Sequence, residues 1–290
     1  MLNHPMQDLE AWVLLLSSAE LPVLRHTARR LEEARQKIDR ISGRDIANIV
    51  LHDPLMAVRV LSYIQPHHGK HLRSDITTIG SAVMMLGVEP FFAKFENPLT
   101  IEATLKDEPQ ALLGVLQVIH RVQRATHYAY QWAQHRQDTN VEEVMLATLL
   151  HDLAEVLLWC FAPSLAMKIR SRQQADSTLR SADVQEEVLG GFRLFDLQLA
   201  LCRAWHLPEL LKTLMDDAHA ENPRVRNVVL AVNLARHSAH GWTDSALPDD
   251  FAAVQKLLHV GRERLLGMLD VPPELLAQLE ETAATGPVLP

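Results

Sequence analysis

The sequence predicts an all-α protein, and three observations carry that expectation. Leu, Ala, Glu and Arg, which lose little on entering a helix, are abundant. Glycine is scarce, at 11 of 290 residues. No alternating polar–apolar run bounded by turn residues marks a strand, whereas apolar residues recur three and four apart throughout.

The elements follow in order. Ser42 and Asp45 have capping-box spacing ahead of Ile46, Ile49 and Val50. Leu55, Val58, Leu61 and Ile64 form the next stripe. Asp53 is placed to cap that helix, and Pro54 suits its first turn, where no backbone donor is needed. Pro66 to Ser74 reads as a loop. Ile79, Ala82, Val83 and Leu86 make another stripe, which Gly87 stops. A long amphipathic segment runs from about Ala111 to Gln134, and Gln137 to Asn140 is a polar break. Asn140 and Glu143 form a second cap-and-box pair before the stripe Leu146, Leu149, Leu150, Leu153, Val156 and Leu157. Pro163 marks a boundary. One helix is expected from about Val184 to Ala204, closed by Trp205-His206-Leu207-Pro208. Leu210, Leu211, Leu214 and Met215 continue on a new helix. Asp216 to Arg224 reads as a loop before a helix near Val228 to Ser238, and Gly241 to Asp250 as another. The Gly286 to Pro290 tail is expected to fray. The parts expected are an N-terminal helical half (1–105), a second helical half (106–240), and C-terminal helices with the tail (241–290).

Charge and composition exclude several function classes. Net charge is −8, and a duplex-binding protein needs a basic face to displace phosphate counterions. Two short basic stretches, Arg25 to Arg35 and Lys168 to Arg172, read as solvated helix faces, the first broken by Glu32 and Glu33. Nucleic acid is therefore not expected as a partner. The longest apolar stretch, about Val144 to Met167, contains His151, Asp152 and Glu155, so no membrane span is expected. Cys160 and Cys202 lie in apolar helical text without metal-ligand spacing, which suits buried free thiols. With no signal pattern in MLNHPMQDLE, a soluble cytoplasmic protein is expected.

The sharpest chemical feature is His151-Asp152. Adjacent His and Asp can give a divalent ion one nitrogen and one oxygen ligand, and such an ion lowers the pKa of bound water. His120, on the preceding long helix, is the candidate third ligand. A catalytic metal needs three or more protein ligands, and Asn233, in the region where a fourth belongs, is a neutral amide. The alternative is a buried polar pair that ties helices together. His52-Asp53 shows that the dipeptide also arises at a helix cap. His67, His68 and His71 cluster in the expected loop, and His219 suits a helix C-terminus. Gly190-Gly191 is too short to cradle phosphate, and neither a nucleophile elbow nor a thiol–histidine signature occurs.

Several segments taken together resemble the HDOD family. They are Leu21-Pro22, Asp45-Ile46-Ala47-Asn48-Ile49-Val50, His52-Asp53-Pro54-Leu55, Ile76-Thr77-Thr78-Ile79 through Leu86-Gly87, Leu149-Leu150-His151-Asp152-Leu153-Ala154, and Ala204-Trp205-His206-Leu207-Pro208, spanning roughly residues 15 to 238. The resemblance implies a multi-helix bundle like that of HD phosphohydrolases, usually without their full metal set. It also implies a bacterial signalling role, with partners in two-component or cyclic-di-GMP pathways. The sequence departs from the family at Gln65-Pro66, Leu194 and Ala218-His219, and the HD-GYP signature does not occur. The expected function is a non-enzymatic signalling or scaffolding module without cofactor, His120, His151 and Asp152 being a vestige of a metal site. The alternatives are a metal-dependent phosphohydrolase or phosphodiesterase, completed by a carboxylate such as Asp196 or Asp216, and a nucleic-acid-associated regulator.

Overall fold

Asp53 shows how the N-terminal sequence sets its own architecture. Its buried carboxylate accepts the backbone N–H groups of Leu55 (3.0 Å) and Met56 (3.1 Å), capping the helix that Pro54 begins. Its other oxygen accepts Leu24 N–H at 2.7 Å, at the start of the helix Arg25–Arg35. One side chain thus ties two helix N-termini together.

The structure, a computed structural model, describes residues 2–68, 75–176, 179–269 and 271. Its helices are α1 Leu9–Ser18, α2 Arg25–Arg35, α3 Gly43–Val50, α4 Pro54–His68, α5 Ile79–Leu86, α6 Val88–Lys94, α7 Ile101–Thr104, α8 Pro109–His135, α9 Val141–Leu150, α10 Leu153–Phe161, α11 Pro163–Ala175, α12 Ser181–Leu189, α13 Leu194–Ala204, α14 Glu209–Leu214, α15 Pro223–His237, α16 Leu247–Leu258 and α17 Arg262–Leu266. The fold is all-α: among the described residues the sole extended pairing is an isolated bridge between Val23 and Thr100.

The chain forms two compact units. The first holds residues up to Gln123 together with Leu149–Thr213. In it α3 packs on α2 and α5, α4 on α5, α1 on α13, and α10 on α11 and α13. Trp12, Leu16, Ile46, Leu55 and Phe91 are buried in its core. The second unit holds Arg124–Thr148 and the described residues from Leu214 onward. There α15 packs on α16, and α16 on α17. Tyr128 stacks on Trp132 with centroids 5.9 Å apart, and buried Asn227 donates to the Ala129 carbonyl at 3.1 Å.

Several boundaries differ from the expected ones. The stripe from Leu146 to Leu157 is two helices, α9 and α10, parted by a turn at His151-Asp152. The single helix expected over Val184 to Ala204 is α12 and α13. Gly190 (φ 96°) and Gly191 (φ 101°) take positive φ between them, a conformation open to glycine. α4 runs on to His68 rather than ending before Pro66, α16 starts at Leu247, and the loop from Asp216 holds a 3-10 turn at Asp217–His219. His71 and the Gly286 to Pro290 tail lie outside the described residues, as do the side chains of His67 and His68. One stretch, Val141–Phe161, is long and apolar enough to cross a membrane, but 78% of its most apolar window is buried, as for a core segment.

Candidate functional site

The turn between α9 and α10 carries His151 and Asp152. A helix break frees backbone groups that burial would leave unsatisfied. Gln198, buried on α13, fills that need. Its carbonyl accepts Ala154 N–H at 2.8 Å, and its amide donates to the Leu150 carbonyl at 2.7 Å. The turn is therefore locked from both sides within the first unit.

Asp152 is the N-cap residue of α10, yet its carboxylate does not cap the helix. Arg121, on α8, reaches it instead. Arg121 Nη2 stands 2.7 Å from Asp152 Oδ2 and 2.6 Å from Glu155 Oε2. His151 Nδ1 donates to Asp152 Oδ1 at 2.9 Å. The cluster is well shielded, with side-chain exposures of 17% for Arg121, 8% for Asp152 and 13% for His151. Burial lowers the affinity of Arg121 for its proton, but Glu155 and Asp152 outweigh this and hold the guanidinium above its ordinary pKa. Its positive charge is permanent.

His120 does not join the cluster. It is exposed, midway between buried Val118 and Val122 on α8. Arg121 is three residues after Val118 and four before Ala125, on the inward stripe. That spacing, and Glu155 one turn beyond Asp152, were the signals that pick out these two residues. Asn233 is half-buried on α15 in the second unit. Asp196, in the first unit, is engaged with Arg193, its Oδ1 standing 3.0 Å from Arg193 Nη2, while Asp216 Oδ2 stands 3.3 Å from His219 Nδ1. Among the described residues, no three His, Cys, Asp or Glu side chains are grouped so as to hold a metal ion. The turn does not fit a divalent ion, because its two carboxylates already share a guanidinium.

The other motifs have structural explanations. Trp205 ends α13, His206 takes a left-handed φ of 54°, and Leu207 N–H returns to the Cys202 carbonyl at 2.9 Å. Trp-x-Leu-Pro is thus a helix stop with buried Trp205 and Leu207. Cys160 and Cys202 are buried free thiols, as expected. Burial pushes the Cys160 thiol far up and the Cys202 thiol up to about 12. A surface groove of about 240 Å³ between α2 and α6 has an apolar floor of Leu31, Phe92 and Phe95. On its rim, Arg35 pairs with Glu32 (2.8 Å) and Glu96 (3.5 Å).

The sequence profile of the HDOD domain matches residues 21–221. The chain belongs to the HDOD family. No curated protein matches it by sequence. Among solved structures, a virulence factor from Campylobacter jejuni is similar at a TM-score of 0.65 and 19% identity, covering 90% of this chain and 97% of that one. The MmoQ response regulator from Methylococcus capsulatus is similar at a TM-score of 0.63 and 17% identity, covering 87% and 99%. At these identities the likeness shows a shared fold. The HDOD match covers the segments spread from Leu21-Pro22 to the Trp-x-Leu-Pro stop.

Proposed function

We propose that this HDOD protein is a non-catalytic signalling or scaffolding module acting through protein partners or a bound ligand. The observation that carries the reading is the Arg121 guanidinium bonded to both Asp152 and Glu155. Metal-assisted phosphoester hydrolysis needs a cation with open coordination positions, to hold substrate and activate water. A guanidinium supplies charge and donors but no coordination site, and it cannot take up a proton from water. The buried hydrogen bonds of His151, Asp152 and Gln198 serve instead to fix the α9–α10 turn. Fold likeness to a protein described as a response regulator suits a regulatory role. Partners in two-component or cyclic-di-GMP pathways are the class to try first.

The test is elemental mass spectrometry of the purified, untagged chain after growth with added Mn, Fe and Zn, alongside hydrolysis assays on phosphoesters and cyclic dinucleotides. The expected result is sub-stoichiometric metal, no turnover, and a lower Tm for His151→Ala. Stoichiometric metal lost on His151→Ala, or metal-dependent turnover, would establish the phosphohydrolase reading instead.

A further inference from the structure

We infer that Arg121 is a built-in counter-cation that keeps divalent metal off Asp152 and Glu155, and that removing it uncovers a latent cation site on those two carboxylates. This goes beyond the non-catalytic reading, since it concerns why the turn refuses metal rather than what the protein does.

The guanidinium nitrogen occupies the point where the two carboxylates converge. One atom, Arg121 Nη2, lies within 2.7 Å of an oxygen from each carboxylate. Calcium–oxygen bonds are about 2.3–2.6 Å and magnesium–oxygen bonds about 2.0–2.1 Å, so a small ion in that place needs contractions of only tenths of an ångström. Asp152 and Glu155 are three residues apart at the start of α10, so they share a face without any rearrangement of the backbone. Gln198 holds that backbone from α13, through bonds that do not involve Arg121. Glu155 is 31% exposed, which gives an ion a route in from solvent.

The charge argument has the same direction. With Arg121 removed, Asp152 keeps His151 but the two carboxylates lose their shared cation, and either a proton or a bound cation must offset the charge. Arg121 meets that need from within the chain at any pH. Its place on the inward stripe of α8 also makes it the position from which a histidine would offer a nitrogen ligand, whereas His120 faces outward.

The experiment titrates Mn2+ into the native chain and into Arg121→Ala, Arg121→Gln and Arg121→His, reading the loss of the free aqueous Mn2+ electron paramagnetic resonance signal. Helicity and Tm are followed in parallel. The native chain should leave Mn2+ free. Arg121→Ala and Arg121→His should bind one ion per chain at least about tenfold more tightly, with a rise in Tm on adding metal. The double variant R121H/E155Q should lose that binding. If Arg121→Ala fails to fold, the bulkier Gln and His variants keep the test alive, and recovery of helicity on adding Mn2+ supports the inference. Folded variants that leave Mn2+ as free as the native chain does would overturn it and leave the non-catalytic reading standing. Variants that stay unfolded even with Mn2+ would overturn it too, because an ion able to replace the guanidinium would restore the fold. Tight Mn2+ binding by the native chain would overturn both readings.

Discussion

At the scale of single residues, two aspartates with the same neighbour do different work. Asp53 and Asp152 each follow a histidine and each stand at the N-terminal boundary of a helix. Asp53 accepts three backbone donors, from Leu24, Leu55 and Met56. Asp152 gives its carboxylate to Arg121 and His151. Replacing Asp53 by Ala leaves buried N–H groups without an acceptor, and a loss of about 3 kcal/mol is expected by urea denaturation. Asp53→Asn keeps one oxygen for α4 but faces the Leu24 N–H with a second donor, so its loss should fall in between. An Asn variant as stable as the native chain would show that the Leu24 bond contributes nothing. The sequence made the cap at Asp53 legible because capping is local: an Asp before a Pro and an apolar stripe suffices. It made His151-Asp152 legible as a polar pair. The partner of that pair was not legible, because Arg121 is 31 residues upstream and is reached only through tertiary packing. His120, its neighbour, looked the better ligand by chemistry but has the wrong helical phase.

At the scale of elements, period and caps identified helices well and interruptions badly. An apolar pattern continues across a sharp turn when the helices on either side are each buried almost all round, as α9 and α10 are. The phase of Leu150 and Leu153 therefore gives no warning of the break at His151-Asp152. The break at Gly190-Gly191 was the more readable, since two glycines inside a helical pattern mark a stop. The start of α13, just beyond it, carries a pH signature. Asp196 accepts Arg193 N–H at 2.9 Å and Arg193 Nε–H at 3.1 Å, and the bonding to the Arg193 side chain holds its carboxyl below the usual value. A carboxyl lowered in the folded state contributes stability above its unfolded pKa, near 3.8, and that contribution is lost as pH falls through the lower folded value. Asp196→Asn should therefore lower Tm at pH 6 and converge with the native chain toward about pH 2. A Tm difference that stays constant with pH would assign the effect to the cap hydrogen bond rather than to charge.

At the scale of the whole molecule, the core is unevenly instrumented. Both thiols of the chain, Cys160 on α10 and Cys202 on α13, are in the first unit, and those two helices pack on each other. Cys160 is 1% exposed and Cys202 is fully buried. Reaction of either with a disulfide reagent requires a thiolate, and burial disfavours that form at both positions. Labelling must then wait for the unit to open, and its rate reports that opening. Gln198 links the two elements further, since it holds the start of α10 and sits 3.8 Å from Cys202 Sγ. Elements joined by a shared buried side chain and a shared core open together. Both thiols should therefore be silent in the native chain, react fully in denaturant, and label with one common rate in between. At a reagent concentration where labelling outpaces reclosing, mass spectrometry of a partly labelled sample should show chains carrying two labels or none, whereas a singly labelled population under that condition would mean that α10 and α13 open separately. Gln198→Leu separates these cases further: losing its two backbone bonds should speed labelling at Cys160 and Cys202 alike if the α9–α10 turn and α13 are one cooperative piece.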